Sequence, residues 1–269
     1  MEIPQKNDDN ALEMYTLQCR NHILKPLAEK YGIDTSDEAI RAAVEQHNEV
    51  CRLIRAIGDF RKEANPRVTG YEFHILTLVS YVAPKHLIVD KLRETLEEIK
   101  TREPDAADKY RARVVFVGSE VDDVDVIRLV EESGAYVCAD RFCYGSLPGR
   151  DEILLNDDED VVKQVCRQEQ GRAQCPRYWD MAKMTGRRDY VADLAKEYGA
   201  DGIIYEQMKF CDPWAYERMI GTIVLRDEHG YPVLAVDRPY SIGSSGQMRT
   251  RVQAFVESIE IKKIQGGKK

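Results

Sequence analysis

The chain has 269 residues, 43% hydrophobic and 32% charged, with 17 Gly and 10 Pro, which gives room for one large or two small globular domains and excludes a collagen-like, low-complexity or disordered chain. No stretch approaches about 18 uncharged apolar residues, and the start MEIPQKNDDNALEMY is too polar for a signal peptide, so the expectation is a cytoplasmic protein without a membrane span. Lys and Arg number 39 against 47 Asp and Glu, a net charge of -8, and such a balance repels a phosphate backbone, arguing against a nucleic-acid partner.

From Ala11 to about Lys100 apolar residues recur three and four apart, as in Ala39, Ala43, Val44, His47, Val50, Cys51, Ile54 and Ile57, and this spacing predicts successive helices. Their boundaries fall at Gly32, at Thr35 and Ser36 before Asp37 and Glu38, at Asn65 and Pro66, and at Pro84 before KHLIVDKLRETLEEIK. The polar stretch around Pro104 reads as a linker, dividing a helical region over 1–112 from a second domain over 113–265. Beyond Arg113 the period changes. VVFVGS, AYVCAD, GIIYEQ and PVLAVD are short Val/Ile-rich runs that predict buried parallel strands, separated by helices over Asp122–Ser133, Arg187–Tyr198 and Pro213 to about Arg226, with Gln247–Ile261 closing the chain. The expected fold is α/β: a helical N-terminal region, then a Rossmann-like, doubly wound, four-stranded parallel sheet. Ligands of such sheets bind outside the carboxyl ends of the strands, which directs attention to GSEVDD, DRFCYGS, EQMKFCDPW and DRPYSIGSSGQ.

Seven cysteines, Cys19, Cys51, Cys138, Cys143, Cys166, Cys175 and Cys211, are an odd number in a chain without an export signal, so reduced thiols are expected. None falls in a CxxC pair or lies at zinc-finger distance from a histidine, and His22, His47, His74, His86 and His229 have no triad spacing. Cys211 follows a predicted strand and precedes Pro213 at a helix start. A thiol beside a positive helix N-terminus is expected to have a lowered pKa suited to metal or nucleophilic work; the alternative is a buried cysteine filling a corner, and position alone leaves both open. Cys143 faces the same rim and is a secondary candidate, whereas Cys138 belongs to strand packing, Cys19, Cys51 and Cys175 read as structural, and Cys166 carries no motif. GSEVDD has one glycine where a dinucleotide fingerprint needs three, so a nicotinamide site is not expected. SIGSSGQ before Arg249 and Arg251 suits an anionic group at a helix N-terminus.

DRFCYGSLPG, the CPR of Cys175 to Arg177, ADGIIYEQMKFCDPWAYE, GYPVLAVDRPYS and SGQMRTRVQAFVE occur in the order seen in the 2-hydroxyacyl-CoA dehydratase and benzoyl-CoA reductase family, which the chain resembles over almost its whole length. The resemblance implies an oxygen-sensitive subunit whose Rossmann-like domains hold a four-iron four-sulfur cluster through three cysteines. Cys211, in the segment matching KFCDP, is the ligand carried over. The other ligands normally come from an additional N-terminal domain, and because the chain starts about where that domain would have ended, the cluster is expected to be completed by that domain or by a paralogous second subunit. Isolated, the chain is then expected to be colourless and inactive. In the family a low-potential cluster passes one electron to an acyl-CoA thioester, making a ketyl radical, so the protein supplies thiolates, a dry pocket and donors for developing negative charge. Ser119, Glu206, Gln207, Gln247 and Arg249 are the substrate-contact candidates. A separate ATP-hydrolysing iron-sulfur activator supplies the electron, in keeping with the lack of a GxxxxGK[ST] motif here.

Two other readings come from different classes. One is a non-catalytic iron-sulfur electron carrier on the same fold, like the family's double-cubane proteins, and the other a cofactor-free scaffold. The sequence does not choose between dehydration and ring reduction.

Overall fold

The computed structural model describes residues 1–104, 109–146, 151–172, 175–178, 181–240 and 245–266. Helix α1 (Asp9–Cys19) starts where the Asp8 carboxylate accepts the Ala11 N–H, then runs through a π-helical turn (Arg20–Leu24) into α2 (Lys25–Tyr31). Pro26 at the start of α2 has no N–H to donate and crowds the preceding carbonyl, and a widened turn relieves both problems. Gly32, at φ 64°, ends α2. Ser36 caps α3 (Asp37–Asp59) by accepting from the Ala39 N–H, with Asp37 and Glu38 in the first turn as the sequence predicts. A reciprocal Thr69–Glu72 capping box opens α4 (Gly70–Val82), and α5 (Lys85–Thr101) begins directly after Pro84. These three helices close over Ile54, Ile57, Phe73, Leu92 and Ile99.

The predicted strands form β1 (Ala112–Val117), β2 (Ala135–Arg141), β3 (Gly202–Met208) and β4 (Val233–Arg238). They make a parallel four-stranded sheet in the order β2-β1-β3-β4. Both faces of β1 are covered, which is why its Val114–Val117 run is continuously apolar and fully buried. On one face α6 (Val124–Glu132) and α10 (Ser245–Gly266) pack over Val114, Phe116, Ile204 and Val236. On the other, α8 (Met181–Glu197) and α9 (Asp212–Asp227) cover Val115, Val117, Ile203 and Tyr205. Helix α8 starts six residues before the predicted Arg187, because exposed Gly186 stands inside the helix where sequence reading treats glycine as a boundary. Cys138 is the residue skipped where the β1–β2 register shifts, and its thiol lies 3.3 Å from the Val114 carbonyl, in the core as expected.

Helix α7 (Val161–Arg172) leaves the sheet and packs on α1, joining Leu12 to Val162 and Cys166. The Asn48 side chain donates to the Ile153 carbonyl at 2.9 Å and accepts its N–H at 2.7 Å, tying the segment before α7 to α3. Among the described residues no helix is long and apolar enough to cross a membrane.

Candidate functional site

The chain enters the sheet at β1, goes to β2 at the edge, and returns past β1 to β3. The crossovers therefore diverge between β1 and β3, opening a crevice beyond their carboxyl ends. Gly118 and Ser119 follow β1, Phe142 and Cys143 follow β2, and Lys209 to Cys211 follow β3. Cys143 N–H donates to the Ser119 carbonyl at 2.9 Å, and Lys209 N–H to the Arg238 carbonyl at 2.8 Å, so neighbouring loops are tied together.

Ser119 and Glu206 form the floor of this rim. Ser119 donates its N–H (3.0 Å) and its hydroxyl (2.9 Å) to Glu206 Oε2, and accepts the Met208 N–H at 2.6 Å. Arg238 Nε stands 2.9 Å from Glu206 Oε1. Burial raises the Glu206 pKa, opposed by the Arg238 cation and the Ser119 donors. Both residues are fully buried and spend their polar atoms on this network. Gln207 accepts from Arg218 Nε at 3.0 Å, while Gln247 is exposed near Arg238 and Pro239. Arg249 donates to Glu132 at 2.9 Å and Arg251 to the Ala235 carbonyl at 2.5 Å, so both guanidinium groups have protein partners. The 241–244 part of the SIGSSGQ loop lies outside the described residues.

A turn with Phe210 at φ 71° brings the chain from β3 to Cys211, the N-cap of α9, whose carbonyl accepts the Ala215 N–H at 3.0 Å. Cys211 is half-buried against a core that contains Trp214 and Tyr205. The structure corrects the expectation of a lowered pKa here. Burial raises the Cys211 pKa, and the Trp214 backbone N–H only partly offsets it, because the helix end faces packed side chains that withdraw solvation from a thiolate. Cys143 is exposed as a residue, yet the atoms around its thiol push its pKa up to about 12, chiefly by desolvation and then through Cys175. Cys175, half-buried, lies within electrostatic range of both Cys143 and Cys211. Trp214, 1% exposed, lies under the Arg141 guanidinium, 4.8 Å from its ring. Its indole N–H approaches the Cys143 sulfur without reaching hydrogen-bond geometry and has no other partner. Cys175, Trp214 and Arg141 are the rim residues that sequence reasoning missed; the only signal for them was the position of CPR and CDPW within the matched segments.

The sequence matches the family model described as 2-hydroxyglutaryl-CoA dehydratase, D-component, over residues 1–259. The chain belongs to this family. It is 24% identical over 259 residues to the (R)-phenyllactyl-CoA dehydratase beta subunit of Clostridium sporogenes, covering 96% of this chain and 67% of that one. It is also 23% identical over 266 residues to a benzoyl-CoA reductase subunit from Thauera aromatica, covering 97% and 67%, and 25% identical over 259 residues to the beta subunit of (R)-2-hydroxyglutaryl-CoA dehydratase from Acidaminococcus fermentans, covering 95% and 67%. Relatives in the 2-hydroxyglutaryl-CoA dehydratase family are thus subunits of both dehydratases and a reductase.

The rim's donor chemistry can be set against the iron-sulfur cluster that this family implies. Thiolates around a single ion at about 2.3 Å crowd within roughly 4 Å of one another, and among the described residues no three His, Cys, Asp or Glu side chains stand so. A cubane takes one thiolate at each iron corner, further apart, and accepts N–H donors at its sulfurs. Cys143 and Cys211 are soft donors of the type a cubane takes, on separate loops beside the buried Trp214 indole N–H, and no metal-holding group is formed among the described residues.

Proposed function

We propose that this chain is a subunit of an iron-sulfur acyl-CoA enzyme that dehydrates a 2-hydroxyacyl-CoA or reduces an aromatic acyl-CoA ring, with Cys211 as an iron ligand. The family match over residues 1–259 carries the reading, and Cys211 at the switch-point rim is the position through which it acts. A bound four-iron four-sulfur cluster supplies the low-potential electron for the thioester. The chain's own residues do the rest. Trp214 and Tyr205 exclude water beneath Cys211, and the Ser119–Glu206–Arg238 network fixes the strand ends that carry the thiols. Gln247, exposed, and Arg249, half-buried, are the side chains nearest open solvent that we assign to the acyl-CoA, with the buried Gln207, Ser119 and Glu206 acting behind them.

A partner accompanies this reading. The similar proteins are named as subunits, and Phe210, Tyr216, Met219 and Ile223 form an exposed apolar stripe from the Cys211 turn along α9. We assign that stripe to a related second subunit, with a separate ATP-dependent activator delivering the electron in the cytoplasm. The test is turnover by the assembled enzyme, under strict anoxia, of a 2-hydroxyacyl-CoA and of an aromatic acyl-CoA. Consumption of one thioester, abolished by Cys211→Ser, is expected; no turnover of either thioester, with a dehydratase relative active in parallel, contradicts the proposal.

A further inference from the structure

We infer that Cys19 on α1 and Cys166 on α7 form a thiol pair that a small-molecule disulfide oxidises to a reversible protein disulfide, stapling the two helices together. The inference is independent of the iron-sulfur reading, because α1 and α7 pack on each other and not on the strand ends that carry the rim. Helical spacing builds the site. Leu12, Tyr15, Thr16 and Cys19 stand at i, i+3, i+4 and i+7, the four corners of a hole on one helix face. Cys166 is the knob that enters it. Leu12 and Cys166 share a buried cluster with Val162, and Tyr15 and Cys19 pack against that cluster. The side chains of both Thr16 and Cys19 reach the Cys166 sulfur. Ion pairs of Arg20 with Asp160 and of Lys163 with Glu13 bracket the same crossing, each joining a residue beside or one turn from the cysteines.

The two thiols differ in access, and the difference orders the chemistry. Cys166 is 3% exposed and Cys19 half-buried, so an incoming disulfide meets Cys19 first. The Cys19 S–H gives up its proton, its sulfur attacks one sulfur of the reagent, and that S–S bond breaks to release the first small thiol, leaving a mixed disulfide on Cys19. Cys166 then loses its proton and attacks the Cys19 sulfur, expelling the second small thiol. Two protein thiols are oxidised by two electrons, one reagent disulfide is reduced to two thiols, and the two protons end on those thiols. Burial, and then the Cys19 side chain, raise the Cys166 pKa, which makes the second attack the slower step. A disulfide needs Cα atoms within about 7 Å. Helix α1 ends at Cys19, and the widened π-helical turn that follows gives the backbone there the freedom to close on Cys166.

The test incubates the reduced full chain with oxidised glutathione and maps it by proteolysis and mass spectrometry without reductant. A linked pair of peptides carrying Cys19 and Cys166 is expected, together with a rise in Tm of roughly 5 °C or more that dithiothreitol reverses, since the bond closes a long loop of the unfolded chain. Cys166→Ser is expected to stop at the mixed disulfide on Cys19, and Cys19→Ser to leave Cys166 a free thiol. The wild-type map needs no variant. Cys19 and Cys166 recovered from the folded chain in separate peptides, whether as free thiols or each carrying glutathione, would overturn the inference, and so would a link from Cys19 to another cysteine in preference to Cys166. A Cys19–Cys166 link without the rise in Tm would show that the bond strains the fold, and the staple would fall.

Discussion

His74 shows how one buried side chain sets a pH dependence. It is 2% exposed on α4, meets Phe142 edge-on with ring centroids 5.1 Å apart, and has no hydrogen-bond partner on either ring nitrogen. Burial pushes its pKa down to about 4, with Asp140, Asp122 and Asp123 opposing and the Arg61 cation assisting. Arg61 and Asp140 pair at 3.0 Å beside it. Between pH 6.5, the ordinary value, and 4, the unfolded chain binds the proton and the folded chain does not. Stability from this group is therefore complete above the unfolded pKa and is lost as pH falls. Glu131, raised to about 7 by burial against N–H donors from Tyr71, Gly70 and Val137, has the opposite slope, since its folded form holds the proton longer. The two partly cancel, so the wild-type curve hides both. Denaturant titration of His74→Leu at pH 7 and near 4.5 separates them: relative to wild type the variant should gain about 2 to 3 kcal/mol on acidification. A difference that does not change with pH would mean that His74 stays solvated.

At the scale of elements, the approach of β1 to β3 fixes the rim. A Cβ built on Gly118 would stand 2.5 Å from both the Glu206 carbonyl and its Oε2, and the backbone side of that contact has no rotamer to move. Gly186 in α8 meets nothing within 4 Å. Thermal unfolding should separate the two sites. Gly118→Ala is expected to lose roughly 3 kcal/mol or more by overpacking, and Gly186→Ala to gain up to about 1 kcal/mol by removing an exposed helical glycine. Equal, small shifts would show that β1 and β3 can part without cost. Helix α9 is anchored independently, because Glu217 accepts Arg188 Nε at 2.9 Å and pairs with Arg187 at 3.3 Å, both links buried between α8 and α9. That clamp, at Glu217 in the second turn, holds the same N-terminal end of α9 that carries Trp214 and Cys211.

Over the whole molecule, the sheet is legible because buried parallel strands write continuous apolar runs, and VVFV, AYVCAD, GIIYEQ and PVLAVD each become a strand. The caps at Ser36 and Thr69 follow from local chemistry, and Ser36 is readable from the acidic turn after it. Contacts that join distant segments are not. Nothing in the sequence near Asn48 announces Ile153, and nothing near Cys166 announces Leu12, so the seat of α7 on α1 emerges only in the fold. The direction of the Cys211 pKa is hidden for a related reason. Its helix N-terminus is a local feature visible in CDPW, whereas the desolvation that outweighs it comes from residues brought in from other strands and loops. Cys175 reads as structural because an irregular loop carries no period, although the loop brings that thiol into electrostatic reach of Cys143 and Cys211.

The central claim, an acyl-CoA enzyme subunit with iron-sulfur chemistry at the β1–β3 crevice, is tested most directly by electron paramagnetic resonance. The spectrum of the dithionite-reduced enzyme, assembled under anoxia with its partner subunit, would be recorded with and without a 2-hydroxyacyl-CoA or an aromatic acyl-CoA. The account predicts a reduced-cluster signal that is absent in Cys211→Ser and changed in shape by one of the two thioesters. An assembled enzyme that holds no iron, or a cluster signal indifferent both to Cys211→Ser and to either thioester, would contradict it.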